Sequence, residues 1–347
     1  MRDSIEIKLD ISLLGQAMAL ARGKSRDDVV NDCLKRVIHA ELGFITLSDF
    51  EKLVPDNELV WSRKSERQIA KMDLQQYLRS EVSYNPAYLE EYVPNQTQLL
   101  PTAVKFKLRK LEAAPEPCSK EVMRVLYRNV RLDMIWGSVR LEGTSYTRRG
   151  AEKLLTGCEH PHTRESDALV GLKRAFDILF LSDHKLRLDV STVREIQTAL
   201  KEPVGRSGDS MAGNPAPMFT HAISSADEIE EPKKLLDLVI EKAAAIRNPF
   251  EASFFLWLHL SHLLCFEDGI ERTARFAMNI PLLAKGYYPI TFYEVNRNDY
   301  VMSLVAYFES GDPSIAVDLF SWACRQSVQR YPGFYFVAVN HEARFLR

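Results

Sequence analysis

The sequence predicts a mainly α-helical protein, a helical domain carrying a short insertion, preceded by a small strand–helix–helix element. Three observations predict it. From about residue 100 onward, apolar residues recur at helical spacing through ten successive segments with short links between them. The one non-helical stretch among them, 203–226, is rich in Gly, Pro, Ser and Met. At the N-terminus, a short alternating run is followed by two helical runs split at Gly23.

Taken in order, SIEIKLD (4–10) places Ile5, Ile7 and Leu9 on one side of a strand. ISLLGQAMALA then has helical spacing. Ser25 is set to cap a second helix, DDVVNDCLKRVIHAEL, whose first turn holds Asp27 and Asp28 against the positive end of the helix dipole. Residues 45–100 read as a partly helical connector with Pro55, Pro86 and Pro94 and the polar patch SRKSERQ. The candidate helices beyond it are 101–111, 119–141, 147–156, 164–182, 191–200, 228–246, 249–264, 271–285, 295–309 and 312–330. Short-linked helices with few strand signals argue for a compact helical domain over 101–330, with 331–347 as a C-terminal tail.

Composition narrows the function classes. The chain has 347 residues, 46% hydrophobic and 27% charged, an ordinary balance for a globular protein. A net charge of −2 supplies no global basic field for nucleic acid. No apolar run reaches the roughly 18 residues needed to span a bilayer, and no signal-type stretch opens the chain, so the expected location is the cytoplasm, with no membrane partner. Five cysteines are dispersed with no CxxC pair, and read as reduced thiols. The eight histidines form no zinc spacing with them, and His160 and His162 read as solvated loop side chains.

The stretch that carries chemistry is Leu264-Cys265-Phe266-Glu267-Asp268-Gly269-Ile270-Glu271-Arg272-Thr273-Ala274-Arg275, between two apolar helices. A helix N-terminus offers free N–H groups to an anion. Arg272 and Arg275, three residues apart, share a helix face and can chelate phosphate oxygens, and Asp268 could hold a divalent cation against them. The plainer reading is a charged helix cap in which Asp268 and Glu271 neutralise the two arginines. Spacing alone favours that cap.

Two motifs in order then bring a resemblance. The segment 264–275 is similar to the signature of the Fic family, His-x-Phe-x-Asp/Glu-Gly-Asn-Gly-Arg-x-x-Arg, with Phe266, Asp268, Gly269, Arg272 and Arg275 in register. Upstream, Trp136-Gly-Ser-Val-Arg-Leu-Glu-Gly-Thr resembles that family's inhibitory helix, Ser/Thr-x-x-x-Glu-Gly/Asn, with Ser138, Glu142 and Gly143 in place. YTRRGAEKLLTG and GYYPITFYEVNRNDYVMSL also look like the family, so the resemblance spans roughly 95–330.

The resemblance implies a Fic-type helical domain with a short flap at 203–220 that docks target proteins. It implies transfer of AMP from ATP to a protein hydroxyl (AMPylation). ATP would rest on Gly269, Arg272 and Arg275, and Mg²⁺ on Asp268. It makes Glu142 an inhibitory carboxylate paired with Arg275. The flap here, VGRSGDSMAGNPAPM, has little strand character.

The departures decide the expectation. Leu264 stands where the family has its histidine general base, and base help is typically worth about 10²–10⁴ in rate. Ile270 replaces an Asn that bonds phosphate, and Glu271 replaces a glycine, adding like charge where an anion should sit. His262 lies two residues before the histidine position, about 200° around the helix, so it reads as a packed side chain and not a substitute base. Cys265 reads as a small buried residue.

The leading expectation is a catalytically inactive Fic-type pseudoenzyme that acts by binding an unknown protein partner or a residual nucleotide. A second is a phosphate-donor transferase with altered, histidine-independent chemistry, since such transfers lean on positioning and electrostatics. A third is a DNA-binding regulator. Residues 1–44 resemble the ribbon-helix-helix module of bacterial repressors, which dimerises by pairing strands and reads DNA with outward strand residues. Those outward residues here are Ser4, Glu6 and Lys8, a set poorly suited to phosphates, so homodimerisation through 1–44 is the better-motivated use of the module.

Overall fold

The computed structural model describes residues 59–75, 85–111, 120–157, 163–181, 186–200, 230–263 and 270–345. All of them belong to one compact unit, Leu59–Arg347, distinct from a unit over Met1–Glu58. The strand–helix–helix expectation for 1–44 and the flap at 203–220 lie outside the described residues.

Among the described residues there are helices and no strands. In chain order they are α1 (Arg63–Gln75), α2 (Ala87–Glu90), α3 (Thr102–Leu108), α4 (Lys120–Glu142), α5 (Arg148–Leu155), α6 (Arg164–Phe180) and α7 (Val190–Leu200), followed by α8 (Glu230–Ala245), α9 (Pro249–Leu263), α10 (Ile270–Ala277), α11 (Ile280–Leu283), α12 (Arg297–Ser310) and α13 (Ser314–Phe345). The mainly helical fold expected from periodicity is the one observed. The expected helix 271–285 is two pieces, α10 and α11. Pro281 at the start of α11 has no N–H for a continuous ladder and suits the first turn of a new helix.

The centre of the unit is α9. Every residue from Phe250 to Leu263 is buried, which is the burial expected of a helix that is apolar on all faces. Its start is set locally: Asn248 Oδ1 accepts the N–H groups of Phe250 and Glu251, and Pro249 follows that cap. Around α9 pack α8, α10, α11 and α12, and outside them α4 pairs with α13 and α6 with α7. One large apolar cluster runs through these helices, with Trp257, Phe254, Phe320 and Tyr300 at its middle.

Two buried carboxylates tie distant segments to this frame. Glu251, in the first turn of α9, accepts from Tyr92 Oη (3.1 Å), Leu99 N (2.6 Å) and Leu100 N (3.1 Å), with Lys105 Nζ at 3.5 Å. Lys242 of α8 completes the clamp by donating to the carbonyls of Leu89, Glu90 and Tyr92. Asp133 of α4, fully buried, accepts from Arg148 at 3.1 Å and Arg330 at 2.8 Å, so α4, α5 and α13 meet on one side chain. At the other edge, α1 packs on α13, with Ser62 N and Ser65 Oγ both donating to Asp318.

One glycine sets how close α4 can come to the segment after α11. A Cβ on Gly137 would lie 2.6 Å from the carbonyl oxygen of Thr291 and 3.2 Å from Tyr293 Cα. Gly137→Ala is therefore expected to lower stability by about 1–3 kcal/mol, the usual range for forcing atoms into a packed core. Urea unfolding measures it, and a change under about 0.5 kcal/mol would show that this approach is loose.

Candidate functional site

The site forms where the end of α4 meets α10. Ser138 and Glu142 are one helical turn apart on α4 and so face the same way. The helix stops at Gly143, whose φ of 86° only glycine adopts freely. Gly143 N donates to Arg140 O, and Thr144 N donates to Val139 O, a Schellman closure. Glu142 is thereby held at the negative end of the helix dipole, an unfavourable place for a carboxylate unless cations compensate.

The cations are there. Arg272 Nε donates to Glu142 Oε2 at 2.9 Å, and Arg275 Nη2 donates to Glu142 Oε1. Arg275 Nε also donates to Ser138 Oγ at 2.9 Å. Arg275 is 2% exposed and Arg272 7%, so both charges are out of water and depend on these partners. Glu271 adds a second carboxylate, its Oε2 3.6 Å from Arg275 Nη1. The Arg275 guanidinium also lies over the Tyr300 ring, 5.7 Å from its centroid, and Tyr300 Oη accepts from Trp257 Nε1 at 3.0 Å. Thus α4, α10, α12 and α9 all contribute to the seat of one arginine.

The electrostatics follow from that crowding. Burial, the largest influence, acts to lower the Arg275 pKa, but Tyr300, Glu142 and Glu271 outweigh it and raise it above the usual arginine range. Burial is likewise the main cause that pushes the Glu271 carboxyl up to about 7, with Arg275 opposing and Glu142 adding to the rise.

The structure brings together Ser138, Glu142, Arg272 and Arg275, with Gly143 ending the helix beside them. It extends the expected Glu142–Arg275 pairing to Arg272. Asp268, Gly269, Leu264 and Cys265 lie outside the described residues. His262 is buried in α9, stacked on Phe308 with ring centroids 4.5 Å apart, and Tyr88 lies on it at 5.8 Å. His259 is fully buried near Tyr307, and its pKa is pushed down to about 3, mainly by burial. Both are packed side chains. Tyr300 is a site residue that sequence spacing did not reveal; its only sign was an aromatic position within NRNDYVMSL.

Among the described residues no cluster of His, Cys, Asp and Glu is arranged to hold a metal, and no helix is long and apolar enough to cross a membrane.

This arrangement of helices is that of a Fic domain. A variant of Fic-1 from C. elegans matches over 93% of this chain and 92% of its own, with a TM-score of 0.50 and 18% identity. Fic-1 (residues 134–508) from C. elegans is similar over 67% of this chain and 69% of its own (TM-score 0.49, 21% identity). A Fic-domain-containing signaling protein from Bacteroides thetaiotaomicron is similar over 69% of this chain and 97% of its own (TM-score 0.47, 20% identity). At these identities the likeness is one of fold. No family model and no curated protein matches the sequence.

Proposed function

We propose that this protein is a catalytically silent Fic-fold protein that works by binding, with an oxyanion cradle held shut by its own carboxylate. The observation that carries this is Glu142 spanning both Arg272 and Arg275, the two buried cations that the motif resemblance makes phosphate contacts. A ligand's phosphate and the Glu142 carboxylate need the same guanidinium faces, so one excludes the other.

ATP with Mg²⁺ is the ligand class the resemblance points to. Arg272 and Arg275 fit phosphate oxygens, and Arg272 Nη1 is a buried donor with no acceptor among the described residues. Gly269 would add a backbone contact and Asp268 would hold the metal, whose part is to neutralise phosphate charge. The Leu264 side chain can neither accept nor donate a proton, and Ile270 and Glu271 replace two further elements of the family's signature. Those three replacements support binding without transfer. A protein partner docking near α4 could displace Glu142 and open the cradle.

The test is thermal unfolding with Mg²⁺ and ATP on the wild type and on Glu142→Gly, together with label transfer from α-labelled ATP to a bacterial lysate. Saturating ligand at about 100 times Kd stabilises a fold by about 2.7 kcal/mol, enough to move the midpoint by several degrees. The expected result is a small shift in the wild type, a larger one in Glu142→Gly, and no label transfer by either. Transfer that disappears in Asp268→Ala would overturn catalytic silence and favour altered chemistry. No shift in either protein would overturn the cradle.

A further inference from the structure

Glu271 has no counterpart in the signature, where a glycine stands, yet it is built into the cradle. Its side chain is 15% exposed, sits one turn before Arg275 on α10, and faces Arg275 Nη1 at 3.6 Å, beyond hydrogen-bond reach. Among the described residues, Glu142, Glu271, Arg272 and Arg275 form a group of two carboxylates and two guanidiniums whose charges sum to zero when all are ionised. Among the described residues Arg272 Nη1 is buried without a hydrogen-bond acceptor, and Arg275 Nη1 has only its 3.6 Å ion pair with Glu271. An anion entering a neutral buried group loses its hydration with no charge to offset the loss. Displacing Glu142 corrects only half of this, because Glu271 is carried on the same helix as the arginines and stays behind.

We infer that Glu271 is a second resident carboxylate that controls the cradle, so that an oxyanion enters together with one proton, which lands on the Glu271 carboxyl. The inference rests on the reading of Arg272 and Arg275 as an anion site. Protonation raises the charge of the group by one and converts a repelling oxygen into an O–H donor for the incoming anion. The groups that face Glu271 are Arg275 and Arg272 from its own helix, Glu142 from α4 and Tyr300 from α12. Among the described residues none from α6, α7 or α9 adds a charge to that set. With the carboxyl raised to about 7, mainly by burial, the proton exchange falls at neutral pH.

Sulfate is the probe, because its own charge is constant through the neutral range. Its affinity is measured by calorimetry in Glu142→Gly and in Glu142→Gly combined with Glu271→Gln. In the single variant, affinity is expected to fall as pH rises and the Glu271 carboxyl loses its proton, over a window below that of the wild type because the like charge of Glu142 that helps raise the carboxyl is gone. In the double variant it should be flat and, at the higher pH, tighter than in the single. Equal pH slopes in the two, or pH-independent binding in the single variant, overturn the inference while leaving the anion site standing. Absence of sulfate binding in every variant overturns both.

A second readout is ligand-free. A carboxyl whose pKa is higher folded than unfolded stabilises the fold below its unfolded value of 4.5 and loses that contribution as pH rises to about 7. The unfolding midpoint of the wild type relative to Glu271→Gln should therefore decline across that window and be level above it. A level difference throughout would show that Glu271 does not titrate there and overturn the inference.

Discussion

Replacing Glu251 by alanine is expected to lower stability by about 3–5 kcal/mol, the range for removing one partner from a buried charged network. The carboxylate is 3% exposed and accepts three hydrogen bonds, two from backbone N–H groups that have no other acceptor in the 92–100 loop, with Lys105 alongside. Truncation leaves those donors buried and unmade, and each such loss costs about 1–3 kcal/mol. Glu251→Gln keeps acceptor oxygen but loses charge and one acceptor position, so it should fall between alanine and wild type. Urea unfolding followed by far-ultraviolet circular dichroism measures both. An alanine variant within about 1 kcal/mol of wild type would show that water replaces the carboxylate, and that the loop is not held from α9.

Asp133→Ala is expected to cost about 2–4 kcal/mol, at or below the range for a fully buried pair because its two arginines are about one-third exposed and partly solvated. This change reaches the site. Asp133 and Glu142 are on the same helix, and the interactions of Asp133 with Arg148 and Arg330 fix α4 against α5 and α13. Arg330 also lies 3.7 Å from the centroid of the Tyr293 ring, while Arg140 donates to the carbonyls of Tyr293 and Val295. Loosening α4 there should weaken the hold of Glu142 on Arg272 and Arg275. Asp133→Ala is therefore expected to show a larger midpoint shift with Mg²⁺ and ATP than wild type, though smaller than that of Glu142→Gly. A stability loss with no gain in ligand response would mean that the end of α4 is positioned by Gly137 and Gly143 alone.

The proposed control of this cradle has a simple physical basis. Two buried guanidiniums must be neutralised in the resting protein, and whichever anion neutralises them excludes the others. Glu142 approaches from α4, so a partner that moves α4 can withdraw it. Glu271 travels with the arginines, so only a proton can silence it. The first is a mechanical control and the second a chemical one.

Much of this was legible in the sequence. Helical periodicity placed the helices of the 101–330 region to within a few residues, except that the last, expected to end at 330, runs on to Phe345 through the stretch read as a tail; burial of one face leaves its period in the order of apolar residues. The strongly apolar run at 252–260 marked a buried helix, and the four-residue spacing of Ser138 and Glu142 put them on one face. The three-residue spacing of Arg272 and Arg275 did the same for the cations. Local sequence determined these features because they depend on neighbours within one or two turns. The break between α10 and α11 was also written locally, in Pro281, and the longer periodic pattern masked it.

Only tertiary structure decided the rest, since it depends on residues that lie well beyond a helical turn of one another, from 15 positions for Asp133 and Arg148 to 197 for Asp133 and Arg330. That Glu142 meets both arginines, that Tyr300 underlies Arg275, and that Glu251 and Asp133 are buried hubs are facts of packing between helices. A carboxylate in an apolar helix and one in a charged turn look alike in a sequence. What separates them is the set of donors the fold brings within 3 Å, and the loss of water that makes each donor indispensable.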